Sequence, residues 1–258
     1  MVRQRADTGF LVVSLLVGVV VGLAAALLIW VLEAVQHAFV WAADLGPGEW
    51  IVFASVPLGI LGAWWMARRF APEVAGDGVP EVSAALAVNA GYLSTKSIPL
   101  KILATALTLG GGGSAGREGP MVQIGGAIGS SVARRFGLGE DYVRSLVAAG
   151  AAAAIGASFN APIAGMLFGL EVVLGSFAVR HMSAVVLASI AAAVTFRSLV
   201  PESEILQGAT YRLGGPSELI LYAGFAVLAV GVAYLYPRLL DRVELLGGTA
   251  PRAAWLRP

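Results

Sequence analysis

Gly116-Arg117-Glu118-Gly119-Pro120 places an ionisable pair inside one of the most apolar, glycine-rich parts of the chain. An intramembrane carboxylate is costly to keep and by default marks an ion or proton pathway. Proline favours the first turn of a helix, so Pro120 predicts that a helix begins just after Glu118. The positive end of that helix then faces the carboxylate.

Outward from this stretch the chain reads as a membrane protein. Its 258 residues are 58% hydrophobic and 13% charged, against about 25% charged in soluble domains. The formal charge of +1 and the lack of a Lys/Arg-rich run exclude a case for nucleic acid. Without cysteine there is no disulfide and no thiol-based metal or redox site. His37 and His181 stand far apart in sequence with no carboxylate cluster beside them, so no metal or cofactor is expected. No nucleophile–base set supports an enzyme.

The uncharged run from Phe10 to Leu32 predicts a first membrane span, long enough to serve also as an uncleaved insertion signal. Further apolar runs lie at Ile51–Met66, Ile98–Leu109, Met121–Val132, Leu146–Ser158, Pro162–Leu174, Ser183–Phe196 and Leu219–Tyr236. Several are shorter than the ~20 residues of a perpendicular span, which predicts tilted and broken helices meeting inside the bilayer. Arg3 and Arg5 precede the first span, Arg68 and Arg69 follow the second, and Glu33 to Trp50 holds no Lys or Arg. By the positive-inside rule the N-terminus is cytoplasmic. The stretch 247–258, polar and rich in Gly, Pro and Arg, reads as a disordered tail.

Three segments share a design: Asp77-Gly78-Val79-Pro80-Glu81, Gly116-Arg117-Glu118-Gly119-Pro120 and Phe159-Asn160-Ala161-Pro162. In each, a capping or turn residue precedes a proline at which a helix can start. Helix N-termini expose unpaired N–H groups and carry about half a positive charge. Several such ends converging make an anion site that holds its ion weakly enough to release it. The bland reading of each is an ordinary capped helix start. For Glu118 the sequence leaves three roles open: capping its own helix, pairing with Arg117, or occupying the anion site while ionised. Arg117 either raises the local positive potential or anchors the turn. Lys101, inside an apolar stretch, either does the same or snorkels to the interface.

Gly111-Gly112-Gly113-Ser114-Ala115-Gly116 has the spacing of a phosphate-binding loop, but Arg117 and Glu118 stand where Lys and Ser/Thr are required. No βαβ pattern supports a dinucleotide fingerprint.

With these residues in view, the chain resembles the CLC family of chloride channels and proton–chloride exchangers. Gly116-Arg117-Glu118-Gly119-Pro120 continued by Val122-Gln123-Ile124-Gly125-Gly126 looks like the family signature. Gly150-Ala151-Ala152-Ala153 followed by Phe159-Asn160-Ala161-Pro162-Ile163-Ala164-Gly165 is similar to its next block, and Gly76-Asp77-Gly78-Val79-Pro80-Glu81 to the one before. The resemblance runs to about Leu246, so residues 1–246 read as one transmembrane domain. It implies an all-α fold of two inverted repeats per subunit, of which this chain carries the first and the start of the second. It also implies a chloride or related anion as transported ion, a lipid-embedded homodimer with one pore per subunit, and Glu118 as the gate. Asp77, Gly78, Val79, Arg117 and Gly119 are the expected anion-binding residues.

Three departures from the family pattern stand out. Asp77 occupies a position that commonly holds a small residue, often serine. Val172 occupies the internal proton-relay position, with Glu171 beside it as a possible substitute, which favours channel-like or weakly coupled transport. The Gly-x-Phe-x-Pro loop and pore tyrosine of the second repeat are missing, and Gly175-Ser176-Phe177-Ala178-Val179 lacks the proline. A fragment, a premature stop or a frameshift would each account for this, and such a chain could be a non-conducting structural or assembly partner.

Overall fold

A computed structural model of the chain describes residues 2–45, 50–200 and 215–249. Among them every regular element is helical. In order they are α1 (Val2–Leu45), α2 (Trp50–Phe70), a 3-10 turn (Pro72–Val74), α3 (Val79–Val88), α4 (Ser97–Gly110), α5 (Glu118–Arg135), α6 (Glu140–Ser158), α7 (Pro162–Phe168) running into a π turn (Gly169–Val173), α8 (Val179–Leu199) and α9 (Glu218–Thr249). The chain divides into two units, residues 1–205 and 206–258; α9 belongs to the second. Residues 250–258, most of the expected disordered tail, lie outside the described residues.

The helices follow the apolar runs, with one large difference. The first does not stop at Leu32 but continues to Leu45. Glu33, His37 and Asp44 interrupt the hydropathy but not the helix, because neither Gly nor Pro occurs between Gly22 and Gly46. The apolar part, Thr8–Asp44, has 37 residues, roughly 55 Å at 1.5 Å per residue. That exceeds a hydrocarbon core of about 30 Å, so α1 must tilt or project. Among the described residues, three helices are long and apolar enough to cross a membrane: Thr8–Asp44, His181–Leu199 and Glu218–Val243.

The first unit is built around α6. Every residue from Ser145 to Ser158 is buried, with α1, α5, α7 and α8 packed around it. A helix hydrophobic all round needs this surrounding. Lipid offers no hydrophobic drive between helices, so close van der Waals contact between small residues must hold them. A side-chain carbon at Gly125 would fall on the carbonyl of Gly150, and one at Gly150 on the carbonyl of Gly125. One turn on, Gly129 lies against the carbonyl of Leu146. The backbones of α5 and α6 therefore touch without side chains between them. On the other flank, α1 meets α8 through Gly18 at Ala188 and Gly22 at Ala192.

Gly150→Val is expected to cost about 3 kcal/mol or more, the upper range for overpacking a core. Gly9→Val, at a position with open space around it, is the control. The fraction of monodisperse protein in detergent and its thermal midpoint should fall for the first and not for the second.

Candidate functional site

The site begins with the turn ahead of α3. Three of its carbonyls are held by side chains from other helices. Gln123 Nε2, on α5, donates to Glu73 O at 2.7 Å. Lys101 Nζ, on α4, donates to Val74 O at 2.9 Å and to Gly76 O at 2.5 Å. Lys101 is 4% exposed and Gln123 1%, so both are interior clamps. Of the roles left open by the sequence, Lys101 thus takes that of a turn anchor rather than snorkelling to the interface. Burial disfavours its charge, and the negative charges of Glu81 and Asp77 offset part of that cost.

The turn delivers Gly78, the N-cap of α3, at φ 107°, a conformation glycine adopts without penalty. Its N–H donates to Glu81 Oε2 at 2.6 Å, and the helix then runs through Pro80. One expected anion ligand, the Gly78 amide, is therefore engaged by a carboxylate of its own helix. Asp77 is exposed and does not cap α3, because Glu81 does. Asp77 makes no hydrogen bond or ion pair with the described residues. Val79 begins the helix, and N–H groups of a first turn lack intrahelical partners.

The second helix start meets the first. A side-chain carbon at Gly78 would strike the carbonyl of Gly119, and one at Gly119 the carbonyl of Asp77. The N-termini of α3 and α5 are thus in backbone contact. Helix α5 begins at Glu118 itself, with Arg117 as N-cap and Met121 N donating to Arg117 O at 3.0 Å. Pro120 has no N–H, so the free donors of this end are those of Glu118 and Gly119. The Glu118 carboxylate folds back beside Gly116 and is half-buried. It makes no hydrogen bond or ion pair with the described residues, so in this structure it neither caps α5 nor pairs with Arg117.

Arg117 points elsewhere. Its Nη2 donates to Ser158 O, the last carbonyl of α6, at 3.4 Å. The other terminal carbonyls of α6 are also engaged: Ile155 by Phe159 N at 3.1 Å, Gly156 by Ala161 N at 3.0 Å and Ala157 by Asn160 N at 3.3 Å. A cation at a helix C-terminus is favourable. The chain then turns at Asn160, φ 50°, and Pro162 opens α7. The first two predicted helix starts therefore touch directly, and the third is tied to them through Arg117.

Glu171 and Val172 lie in the π turn after α7, a kind of distortion frequent at functional sites. Both are exposed. The turn packs near α3. Sequence reasoning missed Glu81 and Gln123. Glu81 had a signal, since an acid at N3 is the reaching half of a capping box. Gln123 had a weaker one, a single amide in an apolar run.

A family profile described as voltage gated chloride channel matches residues 58–258. The chain belongs to the CLC family. Two solved structures share its fold. A slow cyanobacterial Cl⁻/H⁺ antiporter matches with TM-score 0.77 and 24% identity, over 95% of this chain and 59% of its own. A eukaryotic CLC transporter matches with TM-score 0.63 and 21% identity, over 79% of this chain and 40% of its own. This CLC chain thus spans well under two thirds of the length of either, and it is an all-α integral-membrane bundle.

In this CLC chain, Lys101→Met would leave the Val74 and Gly76 carbonyls unpaired, at about 1–3 kcal/mol each. Gln123→Leu would free Glu73 O at a similar cost. Both are expected to lower the thermal midpoint of the purified protein. Lys101→Met should have the larger effect, because two bonds go and Glu81 loses its counter-charge.

Proposed function

We propose that this chain forms part of a chloride pathway, with the N–H groups of Glu118 and Gly119 as anion donors and the Glu118 carboxylate as gate. The observation that carries the reading is the backbone contact of Asp77 and Gly78 with Gly119, beside a carboxylate that bonds to nothing described. Ionised, Glu118 competes with the anion for the positive end of α5. Protonated, it loses that attraction and leaves the end to chloride. Val79 adds the second helix end, while Gly78 contributes shape rather than a free donor. Arg117 and Asp77 act on the anion only through longer-range potential.

Val172 cannot carry a proton, which favours channel-like or weakly coupled transport. Glu171, exposed in the same π turn, is the one nearby candidate for a substitute. The pathway needs no cofactor. Residues 1–246 form the transmembrane part, in a lipid bilayer and as a homodimer when the whole protein is present. Orientation follows from charge. The Phe10 ring lies 4.8 Å from that of Tyr142, so the start of α1 and the start of α6 share an end of the bundle. Arg134, Arg135 and Arg144 flank that end in sequence, which supports a cytoplasmic N-terminus at the cell membrane.

Chloride efflux from liposomes tests the gate. Flux through the unmodified protein should depend on pH, being larger where the carboxylate is neutral. Glu118→Gln should give high flux with little pH dependence. An active variant with unchanged pH dependence would sink the assignment. A second reading, that residues 1–258 alone conduct nothing and serve as a structural or assembly partner, is favoured by the 59% coverage of the antiporter. Efflux from vesicles holding only this chain separates the two.

A further inference from the structure

Ser158, at the end of α6, is 3% exposed, and its Oγ has no hydrogen-bond partner among the described residues. A buried hydroxyl left unsatisfied is destabilising, so such groups are nearly always bonded to protein or to an ordered water. The usual escape for a helical hydroxyl is the carbonyl four residues back. Ser14 takes it at Phe10 O, 2.8 Å, Ser145 at Asp141 O, 2.8 Å, and Thr108 at Ala104 O, 3.0 Å. Ser158 does not. It lines a small, partly open cavity instead, together with Arg117 and Met121 of the α5 start, Ala25, Leu28 and Ile29 of α1, and Phe196 of α8.

The cavity holds about 10 Å³ for the centre of a water-sized molecule, the space of a single water. Its walls are apolar except for Ser158 and Arg117. A guanidinium has five N–H donors, and Arg117 engages the neighbouring Ser158 carbonyl through only one long bond of 3.4 Å. Ser158 and Arg117, the two polar side chains of the lining, thus stand beside the same small space.

We infer that this cavity binds one structural water, which accepts a hydrogen bond from the Arg117 guanidinium and exchanges one with the Ser158 hydroxyl. The water joins the N-cap of α5 to the C-terminus of α6, so Arg117 is fastened behind the gate turn rather than aimed at a passing anion. An anion is the other ligand that an arginine and a hydroxyl could hold. It is disfavoured because the cavity abuts the C-terminal carbonyls of α6, the negative end of that helix. The inference rests on the packing of the first unit and does not depend on the chain conducting chloride.

The test is a structure of the full chain at a resolution that shows ordered solvent, from samples prepared in chloride and in bromide. The expected result is one solvent peak within hydrogen-bond distance of Ser158 Oγ and an Arg117 nitrogen, without anomalous signal in bromide. Ser158→Ala should fold, lose that peak and melt several degrees lower. A bromide signal in the cavity would overturn the assignment in favour of an anion. So would a Ser158 hydroxyl bonded to Ala154 O with no peak, or a peak that Ser158→Ala leaves untouched.

Discussion

Gly125 and Gly150 face each other across α5 and α6 with no side chain between the two backbones. In lipid, such close approach is what holds helices together, because apolar side chains are as well solvated by the bilayer as by each other. The same device recurs at Gly129 against Leu146 and at Gly18 against Ala188. It also governs the site. Gly78 and Gly119 bring the starts of α3 and α5 into direct contact, which side chains of any size would prevent. Packing and site are thus one constraint, the absence of a side-chain carbon at a few crossing points.

The cations nearest the site are both turned away from it. Lys101 is engaged by the carbonyls of Val74 and Gly76, and Arg117 by that of Ser158. Glu81 takes the Gly78 amide. What remains unengaged at the junction is the partial positive charge of two helix ends and the Glu118 carboxylate. An anion site built this way, as proposed, would lack the deep well a bare ammonium or guanidinium creates, which would suit passage better than storage.

Much of this was legible in the sequence. Proline fixes where a helix can begin, so the starts at Pro80, Pro120 and Pro162 emerged to within a few residues. Glu118 stood out because a charge in an apolar run is costly. The long α1 was misjudged because hydropathy fades at Glu33 while helix propensity does not. Gln123 on Glu73, Lys101 on Gly76 and Arg117 on Ser158 link positions 50, 25 and 41 residues apart. No local pattern encodes such pairs; they appear only when the glycine contacts set the helices side by side.

Calorimetric titration of chloride into the full-length protein carrying Glu118→Gln, with and without Gly119→Ala, tests the central claim most directly. The single variant removes the competing carboxylate and should bind chloride saturably. Adding a side-chain carbon at Gly119, against the carbonyl of Asp77, should abolish that binding while leaving the helical circular dichroism unchanged. Equal chloride affinity in the two proteins would contradict an anion site built on the contact between these two helix ends.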